Sequence, residues 1–263
     1  MFKSQCVIEL INKFYVMFPE LINFILIIFI VTVQSILGIG VLVLGTPILL
    51  LLNVSMIDAM NYLLPISIIT SLLNLIIIRL KHKDLNYDVV RLKNFFMICV
   101  PFVFIGLIIL KNLHNFINFD YVVSATIILS LIFRSKLSKI LKRLSHNLNK
   151  IILMIIGIIH GVTNSGGTLL SIMLVNLNAT LKNSRNEITL FYLILALIQL
   201  VLFYSVFGFK LNIYKFDLVV IYTTLGVLFG NILLSFTREA LYKKLIYLLA
   251  FITSIMLIFK NII

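Results

Sequence analysis

Ten apolar runs dominate this chain, and several are longer than any soluble core requires. In order they are A (21–37), B (41–52), C (59–78), D (94–110) and E (119–133), then A′ (151–164), B′ (168–177), C′ (188–207), D′ (216–234) and E′ (241–259). A bilayer crossing needs about 20 apolar residues, or about 17 at the short end, so A, C, C′, D′ and E′ qualify. Runs D and E need flanking residues, and B and B′ reach only about half a membrane. Backbone inside a bilayer must satisfy its own hydrogen bonds, and these runs lack the alternation of barrel strands. The expected fold is therefore an all-α polytopic integral membrane protein with eight to ten hydrophobic segments. Composition agrees. The 263 residues are 62% hydrophobic and 12% charged, against about 45–50% and about 25% in soluble domains. That balance excludes a soluble enzyme, a secreted disulfide scaffold and a disordered chain.

The runs repeat. Each half has a long run, a glycine-containing break, a half-length run, a long run and two more runs. Gly40 and Gly166 lie 126 residues apart, and the same offset brings Asp58 to Ser184 and run C onto C′. Duplication with matched broken segments is the sequence mark of many secondary transporters. The chain divides into a lead-in (1–19), a first membrane repeat (20–133), a basic cytoplasmic linker (134–150) and a second membrane repeat (151–263). The lead-in shows no cleavable signal peptide. It reads either as a surface helix held by Phe2, Ile8, Ile11, Phe14 and Tyr15, or as a plain approach to the first span.

Twenty-two Lys and Arg against nine Asp and Glu give a formal net charge of +13. The basic residues fall in short gaps between apolar runs, as the positive-inside rule requires, so no nucleic-acid partner is expected. The gaps 79–93 and 134–150 are assigned to the cytoplasm. If A and B form a hairpin, the halves are inverted; if they make one broken span, the halves are parallel. Both arrangements put 16 basic residues inside and 6 outside. Length favours the hairpin, because residues 20–52 as one helix would reach about 50 Å across a core of about 30 Å.

Chemistry is expected at the two breaks. The first holds Gln34, Ser35, Gly38 and Gly40, followed by Thr46 and Pro47. Glycine frees the backbone, Pro47 suits the first turn of a restarting helix, and that helix would aim its positive end at an anion. The second holds His160, Thr163, Asn164, Ser165, Gly166, Gly167 and Thr168. Polar groups at membrane depth face protein or a water-filled cavity. His160 could carry a proton or bind an anion, or could be satisfied by a carbonyl. Thr70, Ser71 and Asn74 in C and Gln199 in C′ either line a path or bond across helices. Asn74 and Gln199 join the substrate-binding candidates. Arg185 and Glu187 begin run C′ and read as interface markers, as do Asp120, Asp217 and Glu239. The structural alternative for each break is a small-residue helix contact.

No Walker sequence, zinc-protease helix or Gly-x-Ser-x-Gly elbow is present. Cys6 and Cys99 lack motif spacing, and no cofactor or metal is expected. The segment Gly38-Ile39-Gly40-Val41-Leu42-Val43-Leu44-Gly45-Thr46-Pro47-Ile48-Leu49 resembles the first signature of the sulfite exporter TauE/SafE family: Gly-x-Gly-Gly-Gly, four apolar residues, then Pro-x-Leu. Val41 and Leu42 stand where that family has glycines. Gly161, Gly166, Gly167 and Leu169-Leu170 resemble its second signature, and Asp58-Ala59, Arg79 and the Gly226–Gly230 spacing also fit. The resemblance implies a multi-pass carrier of the inner (plasma) membrane that moves sulfite, organosulfonates or related organic acids. No enzymatic activity is expected on this resemblance, and a coupling proton or ion fits the same reading. The alternatives are a membrane-embedded enzyme, built around His160 and Ser165, or a non-transporting assembly factor.

Overall fold

A computed structural model of the chain describes residues 19–81, 88–141, 146–177, 181–208, 216–236 and 239–260. The stretch read as a surface helix or lead-in lies outside them, up to residue 18. Ten helices and no strand occur among the described residues. They are α1 (Pro19–Leu37), α2 (Val41–Leu51), α3 (Met56–Lys81), α4 (Val89–Leu113), α5 (Phe119–Leu141), α6 (His146–Thr163), α7 (Gly166–Leu177), α8 (Leu181–Phe207), α9 (Phe216–Phe236) and α10 (Glu239–Lys260). Each apolar run has become one helix. By length and composition α3, α4, α8 and α9 can cross a membrane. Flanking residues lengthen run D into the 25 residues of α4.

One local expectation, for Pro47, is corrected, and the basic stretch 134–150 is mostly helix, because α5 continues to Leu141 and α6 begins at His146. Leu, Lys and Arg are good helix formers. Pro47 is the seventh residue of α2, not part of its first turn, because α2 restarts at Val41. The break at Val43 O that a mid-helix proline causes is tolerated inside a bundle.

Side-chain contacts fix the chain directions. Lys260, ending α10, donates to Leu50 O near the end of α2 and lies 3.1 Å from Asp120 at the start of α5. Lys111 near the end of α4 donates to Val206 O near the end of α8 (2.7 Å). At the opposite end of the bundle Arg91, in the first turns of α4, meets Glu187 near the start of α8 at 2.6 Å. Helix α1 runs parallel to α9, with Val31 against Gly226 and Ser35 against Gly230. It therefore heads away from the end at which α2 finishes, and the chain reverses at 38–40. Similarly α6 runs parallel to α4, while α7 runs parallel to α5 through Ser165–Thr126 and Thr168–Ser130. The chain reverses again at 164–165.

Packing follows the same pattern in both halves. Helix α4 packs on α6 as α9 packs on α1, α2 on α3 as α7 on α8, and α5 on α7 as α10 on α2. Helices α3 and α8 pack on each other at the centre. Small residues allow the closest approaches: a Cβ on Gly157 would come 2.5 Å from Cys99 O, and one on Gly230 2.5 Å from Ser35 Cβ. Backbones this close are how helices associate where lipid removes the hydrophobic drive. The surface is apolar, with Phe29, Met97, Val201 and Phe229 exposed, while Gln34, Asn74, His160 and Gln199 are buried. A bundle with its polar groups inside and apolar groups outside suits a lipid solvent.

Candidate functional site

The first break is built on Gln34. Its Oε1 accepts from Val41 N (2.9 Å), supplying a partner to the first N–H of α2 that no helical carbonyl could reach. Its Nε2 donates to Ser71 Oγ (3.0 Å) and Ser67 O (3.4 Å) on α3. Gly38 takes the left-handed conformation (φ 79°) that reverses the chain, and a Cβ on Gly40 would meet Gln34 N at 2.6 Å. The opposite need, an acceptor left open at the end of α1, is met from the second half. Arg185 of α8 donates through Nε (3.0 Å) and Nη2 (2.5 Å) to Ser35 O. Its Nη2 also reaches Asn231 Oδ1 at 3.2 Å, and Asn231 donates to Asn74 Oδ1 at 2.8 Å. Asn74 in turn donates to Ser35 Oγ at 3.0 Å. Arg185 and Glu187, expected at a membrane interface, are both buried inside the bundle, and the guanidinium closes a broken helix end.

The second break has the same backbone and different chemistry. Asn164, 126 residues after Gly38, is also left-handed (φ 59°), and a Cβ on Gly166 would meet His160 N at 2.8 Å as one on Gly40 meets Gln34 N. A hydroxyl chain follows. Ser165 Oγ lies 2.5 Å from Thr163 Oγ1 and 2.9 Å from Thr126 Oγ1, and Thr168 Oγ1 donates to Ser165 O (2.6 Å) and Ser130 Oγ (3.3 Å). Gln199 Nε2 donates to Asn164 Oδ1 (2.8 Å) and His160 O (3.2 Å). Asn164 Nδ2 reaches Thr46 Oγ1 of α2 at 3.4 Å, joining the two breaks.

Four polar atoms here have no hydrogen-bond partner among the described residues: His160 Nδ1 and Nε2, Tyr192 OH and Gln199 Oε1. All three residues are 0% exposed. A buried polar group without a partner costs about 1–3 kcal/mol, so several close together call for an explanation. His160 and Tyr192 lie against Gly166 and Gly167 at the start of α7. The His160 and Tyr192 rings are 6.4 Å apart, and the phenol of Tyr192 lies so close over Gly167 that any Cβ there would overlap it. The first N–H groups of a helix and its positive end favour an anion. In the first break the only such atom is Ser67 Oγ, among the described residues.

All fifteen candidate residues are buried. Gln34, Ser35 and Asn74 share one network; His160, Asn164 and Gln199 share the other, beside Thr163, Ser165 and Thr168. Pro47 makes no polar contact, and Thr70 Oγ1 bonds back to Ile66 O within its own helix. The His160 ring faces the side-chain amide of Gln199 and makes no hydrogen bond to a main-chain carbonyl among the described residues. Ser165 Oγ is held by threonines, so it forms no pair with His160. Sequence reasoning missed Tyr192, Asn231, Thr126 and Ser130. Asn231, beside the Gly226–Gly230 face of α9, carried the one usable signal.

No curated protein and no solved structure matches the chain. A family model described as Sulfite exporter TauE/SafE matches residues 23–257, nearly its whole length. The chain belongs to the TauE/SafE family of membrane transporters.

Proposed function

We propose that the protein is a secondary transporter of a small anion such as sulfite, an organosulfonate or a related organic acid, in the inner (plasma) membrane. The anion binds at the second break, against the start of α7, with His160, Tyr192 and Gln199 around it. The observation that carries this reading is the group of four unpartnered buried polar atoms at a helix N-terminus, in a chain whose family is described as sulfite exporters. The first break is its scaffold. The opposed directions of α1 and α6 support two inverted repeats, with the basic connectors 79–93 and 134–150 in the cytoplasm. A cysteine at position 210 is then labelled from outside the cell. The absence of a Ser165–His160 pair disfavours the enzyme reading.

Reconstituted in proteoliposomes, the protein moves labelled sulfite, and Gly167→Leu stops that flux while the protein still inserts. An inserted, folded wild-type protein that moves no small anion would overturn the proposal. A partner protein retained stoichiometrically, with flux absent, would favour the assembly-factor alternative.

A further inference from the structure

We infer that the hydroxyl cluster of the second break is a binding site for a small monovalent cation of sodium size, carried together with the anion. The cation site stands on its own geometry, and its pairing with an anion rests on the transport reading above.

The cluster holds more contacts than its protons can fill. Thr126, Ser130, Thr163, Ser165 and Thr168 have one hydroxyl proton each. Four of these hydroxyls bond to main-chain carbonyls, which only accept. Thr163 Oγ1 donates to Ile159 O (2.7 Å), Thr126 Oγ1 to Val123 O (2.8 Å), Ser130 Oγ to Thr126 O (2.6 Å) and Thr168 Oγ1 to Ser165 O (2.6 Å). The Ser165 proton is left to serve both Thr163 Oγ1 at 2.5 Å and Thr126 Oγ1 at 2.9 Å, and it can fill one of them. Turning either threonine toward Ser165 strands its carbonyl, so the shortage moves without closing. Ser165 N, 3.3 Å from Thr163 Oγ1, adds a donor to that oxygen but no proton between two hydroxyls. Ser130, Thr163, Ser165 and Thr168 are all buried. Buried oxygens that face each other without a proton repel, and a cation drawing on their lone pairs reverses the sign.

Place and charge agree. The cluster lies at the end of α6, where the last carbonyls have no helical partner and the helix carries roughly half a negative charge. Half-helix C-terminal ends and unwound carbonyls are where transporters hold coupling cations. No group of three His, Cys, Asp or Glu suited to a metal occurs among the described residues, and neutral oxygens suit one positive charge better than two. Nor does the fold itself need these hydroxyls. The matching positions, 126 residues away, are Leu37, Ile39, Leu42, Ile252 and Met256, all apolar. A cation at the end of α6 and an anion at the start of α7 would offset each other's charge inside the bilayer.

Thermal unfolding in detergent, in sodium, potassium or choline chloride at equal concentration, reads the site without any transport. Sodium is expected to raise the midpoint by about 4 °C over choline, saturably, with potassium giving less. Ser165→Ala and Thr126→Val should each abolish the sodium-specific rise, and either one suffices if the other fails to fold. In proteoliposomes, replacing sodium by choline should cut labelled sulfite flux by about tenfold. Equal midpoints in the three salts, or a sodium-specific rise that survives both substitutions, would overturn the site whatever sulfite does. A sodium-specific rise with sulfite flux indifferent to sodium would overturn the pairing. If that rise is lost in the variants but sulfite never moves, the cation site stands and the transport reading fails.

Discussion

Gln34 and His160 occupy matching places, 126 residues apart, each one turn before a left-handed residue that reverses the chain. Gln34 spends its amide on the protein: the oxygen caps Val41 N and the nitrogen bonds to α3. His160 bonds through neither ring nitrogen. The same backbone device carries two chemistries. One break closes on itself and holds the halves together; the other is the proposed binding site. Val41 and Gly167 repeat the contrast, because a side chain fills the first helix start while the second is kept bare beneath the Tyr192 phenol.

The largest expected effect comes from filling that bare position. Gly167→Leu should cut sulfite flux by about ten- to a hundredfold, since core overpacking of 1–3 kcal/mol falls directly on the site. Val41→Ala at the matching place should leave the KM for sulfite unchanged. Flux assays on both proteins check the contrast, and equal losses would break it.

Next is Arg185→Met. It strands Ser35 O and Asn231 inside the bundle, so unfolding stability should fall by about 3 kcal/mol, read by thermal unfolding in detergent, with the KM for sulfite unaltered in the folded fraction. A strong KM change would move Arg185 from scaffold to site. Asn164→Ala should cost about 2 kcal/mol, because it combines a left-handed alanine with loss of the bonds to Gln199 and Thr46. Asn164→Gly removes the backbone part and should recover about half of that in the same melt. The smallest effect belongs to the far end of the bundle. Lys260→Met loses a largely buried ion pair to Asp120 and the bond to Leu50 O, and should cost about 1–2 kcal/mol, with flux unchanged.

Much of this architecture is legible in the sequence because hydropathy and glycine placement act locally. Runs A to E′ each became one helix, and the 126-residue offset aligns Gly38 with Asn164 and Gly40 with Gly166. The helix ends are less legible. Charged residues at the edge of an apolar run look like interface markers, and that pattern hid Arg185 and Glu187, whose partners Ser35 and Arg91 are 150 and 96 residues away. Tyr192 was invisible for a related reason. In an apolar helix a tyrosine reads as packing, and only the docking of α8 on α7 sets its hydroxyl over Gly167. The hydroxyls of Thr126 and Ser130 likewise gain meaning only once α5 lies beside α7.

The central claim is that one break is structural and the other binds. Methionine at the two matching positions tests it most directly, with thermal unfolding and sulfite flux measured on the same preparations. Gln34→Met should lower stability by about 1–3 kcal/mol, through the lost helix cap and the stranded Val41 N–H. His160→Met, which removes polar atoms that bond to nothing, should leave stability unchanged or raised while flux falls at least about tenfold. The opposite pattern, a destabilised His160→Met with normal transport by its folded fraction, would contradict the account.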